Sequence, residues 1–108
     1  MAEARVSRLR HLILATRHDR PPRTPDQAIV MDVDMAILGQ ATEVFDDYER
    51  RIRQEYAWIA DAGFARERAS FVKALLDRDR IYYTPRFYAK YEARARENLE
   101  RSLSRLTP

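Results

Sequence analysis

The stretch TPDQAIVMDVDMAILG, residues 24–39, decides the fold. Thr24 is a good N-cap, Pro25 suits the first helical position, and Gln27 stands three residues after the cap, which makes a capping box. The residues that follow are apolar nearly all round, through Ala28, Ile29, Val30, Met31, Val33, Met35, Ala36, Ile37 and Leu38. Gly39 is the expected C-terminal stop. A short helix that is apolar on every side belongs in the centre of a bundle. Asp32 and Asp34 interrupt it. A buried, unpaired carboxylate is costly, so burial implies a cation, a donor network or a metal. At about 100° per residue, positions two apart point about 200° from each other. The two acids therefore cannot be side-by-side ligands of one site. One is expected to face a site, while the other caps a helix end, pairs with an Arg or reaches solvent. The alternative is two Arg-paired carboxylates at a helix interface.

Working outward, start and stop signals mark four more helices. The first runs from about Glu3 to Arg17, with Val6, Leu9, Ile13 and Thr16 on one stripe, and ends before Arg20-Pro21-Pro22-Arg23. Thr42 is expected to cap a third helix, amphipathic through Phe45, Tyr48, Ile52, Tyr56 and Ile59, that closes at Gly63. A fourth carries Phe64, Phe71, Val72, Leu75 and Leu76. Thr84-Pro85 repeats the cap-then-proline start, and the last helix carries Tyr91, Leu99, Leu103 and Leu106. The expected fold is all-α, one small bundle of about five helices over residues 1–108.

Composition narrows the chemistry. The chain has 108 residues, no cysteine and only two glycines, which removes disulfides, thiolate zinc sites and cysteine nucleophiles and favours helices. HLILAT is too short an apolar run for a signal peptide, and no stretch is long enough to span a bilayer, so a cytoplasmic protein without a membrane partner is expected. The 20 basic and 17 acidic residues alternate in DDYERRIRQE and ARARENLERSLSR, which reads as solvated helix faces. That near-balance argues against a nucleic-acid partner. His18, at the end of the first helix, is either a site residue or an ordinary C-terminal cap favoured by the helix dipole. His11 has no supporting context.

Five stretches occur in a telling order: HLILATRH at 11–18, MDVDMAILG at 31–39, YERRIRQEYAWI at 48–59, RERASFVKALLDRDRIYYT at 66–84 and EARARENLERSL at 92–103. Together they resemble the C-terminal half of a bacterial family of predicted metal-dependent HD-superfamily phosphohydrolases. That family shows a helix ending in T-x-H, a D-x-D-L-x-I-L-G helix, an I-R-x-E-Y motif, an R-x-x-x-L-x-x-F-L-x-R stretch and a final E-x-x-A-R-x-N-L helix. The resemblance begins near residue 11 and covers nearly all of the chain that follows. Met35 replaces the usual Leu, and Glu67 a usual Gly.

The resemblance implies hydrolysis of a phosphomonoester or nucleotide at a divalent metal (Mn, Mg, Fe or Zn). By similarity, Asp34 is the late metal ligand and His18 a catalytic acid/base or phosphate contact. Asp32 is then a supporting acid, and Arg53 and Arg68 fall at arginines that would meet phosphate. The two arginines have an equal alternative as salt-bridge partners of Asp32, Glu55 or a helix C-terminus. In the family the first His and the His-Asp doublet lie upstream of the matched half. His18-Asp19 occupies the T-x-H position and does not count as that doublet. The expected partners are therefore a missing N-terminal half or a second copy of the chain, with a phosphorylated small molecule as substrate, and the chain alone is expected to be inactive. The rival expectation is a non-enzymatic helical interaction module derived from the same fold.

Overall fold

A computed structural model describes residues 21–107, and these are all-helical, with no strand among them. In order they form α1 (Pro25–Met35), a 3-10 turn (Ala36–Gly39), α2 (Thr42–Glu55), α3 (Asp61–Leu76) and α4 (Pro85–Leu106). The helix expected at residues 3–17, and His11 and His18 with it, lie outside the described residues.

The two Thr-Pro starts behave as their chemistry dictates. The Thr24 hydroxyl accepts from the Gln27 amide, and the Thr84 hydroxyl accepts from the Phe87 amide. Gln27 returns its side-chain oxygen to the Arg23 amide at 2.7 Å, one residue before the cap. Thr42 differs from the expectation: Ala41 is the N-cap of α2, and no side chain bonds there. Gly63 differs too. α2 ends at Glu55, α3 begins at Asp61, and Gly63 lies in the first turn of α3. The break comes earlier because Arg53 gathers the turn. Its guanidinium donates to the Tyr56 and Ile59 carbonyls and to Asp61, at 2.9, 2.9 and 2.6 Å.

α4, the longest helix at 22 residues, is the spine. The 3-10 turn and α3 pack along it, burying Leu38, Phe71, Leu75, Ala95 and Leu99. Gly39 is fixed by that packing. A Cβ added there would stand 2.5 Å from the Tyr91 Cβ, so only glycine lets the turn lie against α4.

One expectation is overturned. α1 is not the buried centre of the bundle: its buried residues are Asp32 and Met35, whereas Ile29, Val30 and Val33 are 49%, 60% and 56% exposed. The centre is supplied instead by α3, α4, the turn, Phe45 of α2 and the segment that joins α3 to α4, with Tyr82 and Phe45 its largest fully buried side chains.

Candidate functional site

Asp32 and Asp34 take opposite surroundings, as their 200° separation requires. Asp32 is fully buried. Its carboxylate accepts from the Tyr83 amide (2.9 Å), the Thr84 amide (2.8 Å) and the Thr84 hydroxyl (2.7 Å). It thus holds the residues that lead into α4, and its partners are backbone and hydroxyl donors rather than an Arg. Asp34 is exposed, on the same face as Ile29, Val30 and Val33.

The two arginines of the expected phosphate site are both engaged, and neither is bonded to Asp34. Arg53 spans the α2–α3 turn as described and lies over the Phe64 ring, 4.6 Å from its centroid. That is the helix C-terminus alternative. Arg68 is only 3% exposed, with its guanidinium 4.6 Å from the Phe71 ring and 5.6 Å from the Tyr48 ring, and it donates to the Tyr48 hydroxyl at 3.4 Å. Among the described residues no carboxylate neutralises it. Arg53 lines a cleft of about 510 Å³ between α2 and the C-terminal end of α4, together with Asp46, Glu49, Phe64 and Arg105. Hydrogen bonds from Arg53 and Arg68 go to residues of α2, α3 and the turn between them.

Three side chains that composition and spacing left unremarked brace the irregular backbone. Glu92 is buried and accepts from the Ile81 and Tyr82 amides, each at about 3 Å. Arg96 bonds Glu92 and the Leu76 and Arg78 carbonyls, at 2.7, 3.0 and 2.7 Å. Asn98 donates to the Leu38 and Gln40 carbonyls, at 2.8 and 2.9 Å. All three stand in the E-x-x-A-R-x-N-L pattern, which was the available signal. Tyr82, fully buried, donates its hydroxyl to the Met35 carbonyl at 2.6 Å. Burial, and then the charges of Glu92 and Asp32, push its phenol well above the usual range. At the cleft, hydrogen bonding from Arg101 lowers the Asp46 carboxyl, although partial burial opposes the shift.

The resemblance implies a divalent metal. A catalytic metal usually needs three protein ligands, and no group of three or more His, Cys, Asp or Glu able to hold one occurs among the described residues. Asp34 offers a single carboxylate, and both oxygens of Asp32 are taken by the Tyr83 and Thr84 donors that precede α4. The described residues do not fit the metal by themselves, and no hydrolytic step is assigned to them. Among these residues no helix is long and apolar enough to cross a membrane. No protein-family model, curated protein or solved structure matches the chain.

Proposed function

We propose that the chain is a helical interaction module of HD-phosphohydrolase type, which acts by docking α1 against α1 of a second copy. The observation that carries this reading is the open face of α1. Ile29, Val30 and Val33 are each about half exposed, although the opposite side of the same helix buries a carboxylate. Contiguous exposed aliphatic residues favour association, and a two-fold axis is its simplest form. An antiparallel α1 pair centred between Ile29 and Val30 sets those two residues against one another and opposes the two helix dipoles. It also brings the Arg23 end of one helix near the Asp34 end of the other.

The phosphohydrolase reading remains attached to the same surface. Asp34 lies on the open face, so whatever polypeptide covers α1 would bring its own ligands beside that carboxylate. The experiment is sedimentation equilibrium at tens of micromolar, with p-nitrophenyl phosphate hydrolysis measured in Mn. A dimer is expected from the unaltered chain and a folded monomer from Val30→Asp or Val33→Asp, with no hydrolysis from either. A monomer at all concentrations whose folding is damaged by Val30→Asp would overturn the dimer, because the face would then be covered within the chain. Robust hydrolysis by the purified chain would overturn its assignment as a module without chemistry of its own.

A further inference from the structure

The near-neutral composition conceals an unbalanced surface. Arg86, Lys90 and Arg94 occupy positions i, i+4 and i+8 of α4, and all three are exposed. At this spacing they share one helix face, where like charges repel. Elsewhere the same spacing is used for opposite charges, as in Asp47–Arg51 at 3.0 Å and Glu92–Arg96 at 2.7 Å. No described carboxylate pairs with Arg86, Lys90 or Arg94, and the Lys90 ammonium lies over the Tyr91 ring, 5.2 Å from its centroid.

Two acids next to the start of this run are turned inward. Asp32 is bonded to the Tyr83 and Thr84 amides, and Glu92 to the Ile81 and Tyr82 amides and to Arg96. The first turn of α4 contains no acid, unlike the first turns of α1, α2 and α3. Glu97, exposed on the same face three residues after Arg94, closes the run at its far end. Beside the three cations stand Ala89 and Ala93, both exposed, and the half-buried Tyr91 ring.

We infer that this face of α4 binds the phosphate backbone of double-stranded nucleic acid, without reading its sequence. Three cations on a straight helix span about 12 Å, a length over which a duplex presents about seven phosphates. The two alanines let the cations approach a rigid polyanion closely. An anionic membrane is disfavoured because the apolar face of α4, with Ala95 and Leu99, is already buried in the core, whereas a helix lying on lipid inserts such a face into it. The surface shares no residue with the open face of α1, so a failure here leaves the docking proposal standing.

The test is fluorescence anisotropy of the full chain with labelled duplexes, one AT-rich and one GC-rich, over a range of salt concentrations. Equal affinity for both is expected, with log K falling against log salt at a slope of about −2.7 for three phosphate contacts. Arg86→Gln, Lys90→Gln and Arg94→Gln should each reduce the magnitude of that slope by about 0.9, whereas Lys73→Gln, an exposed charge on α3, should leave it unchanged. All four changes are at exposed positions, and circular dichroism checks that each variant is folded. No binding at low salt, or a slope that the three α4 variants leave unaltered, overturns the inference. So does binding to phosphatidylserine vesicles in preference to either duplex.

Discussion

On one side of α1 the Asp32 carboxylate is completely buried and holds three donors, while on the other Ile29, Val30 and Val33 stand about half exposed. The two faces carry the opposite of what hydrophobicity alone would assign. A carboxylate can be an interior group when every lone pair it must satisfy meets a donor that itself needs a partner. Tyr83 and Thr84 supply such donors, because they lie in the irregular segment before α4 and have no ladder to join. Aliphatic residues on the outside, by contrast, have no internal need that keeps them there. The inner face is explained by folding, and the outer face is the one that the proposed association would cover.

The largest test of this contrast removes the inner acid. Asp32→Ala would strand the Tyr83 and Thr84 donors and is expected to cost about 3 kcal/mol, read from urea denaturation. Asp34→Ala, at an exposed position, is expected to change stability by no more than about 0.5 kcal/mol. Equal losses would erase the distinction between the two faces. Gly39→Ala comes next, at about 2 kcal/mol, because the new methyl meets the Tyr91 Cβ, an atom anchored to the α4 backbone. Thermal unfolding measures it, and an unchanged melting temperature would show that the turn has room to move off α4.

Smaller effects separate support of the turn from phosphate binding. Arg53→Gln should cost about 1 kcal/mol, through the Tyr56 and Ile59 carbonyls it leaves without a donor. Asp46 gives the smallest effect and a pH signature. Its folded carboxyl is lowered by Arg101, so its contribution is present above the ordinary value of 3.8 and is lost as the pH falls through the lower folded value. The stability gap between the unaltered chain and Asp46→Asn should therefore be open at pH 7 and close in strong acid. A gap that persists in acid would assign the effect to packing.

Helix content was legible because its signals are local. Thr24-Pro25 and Thr84-Pro85 set their caps through groups three residues away. The separation of Asp32 from Asp34 was legible as well, since it follows from helix pitch. Which of them would be inside was not, because the donors that receive Asp32 are 51 and 52 residues away. The limits of α2 and α3 were misplaced for a similar reason: Gly63 looked like a stop, while the actual break is held by a guanidinium reaching across the turn to Ile59 and Asp61. The motif residues Glu92, Arg96 and Asn98 were part of the resemblance but carried no assigned role, and in the fold they brace backbone that no helix satisfies.

The most direct measurement uses the absence of cysteine from the chain. Single variants Val30→Cys, Val33→Cys and Met35→Cys each carry one thiol, and its reaction with a disulfide reagent reports access to that face of α1. The account predicts that the thiols at 30 and 33 react fast in dilute protein and slow down as concentration brings a second copy onto the face. The thiol at position 35 should be protected at every concentration until the protein unfolds. If the thiols at 30 and 33 were as protected as that at 35 in dilute solution, the outer face of α1 would be interior, and the account would be contradicted.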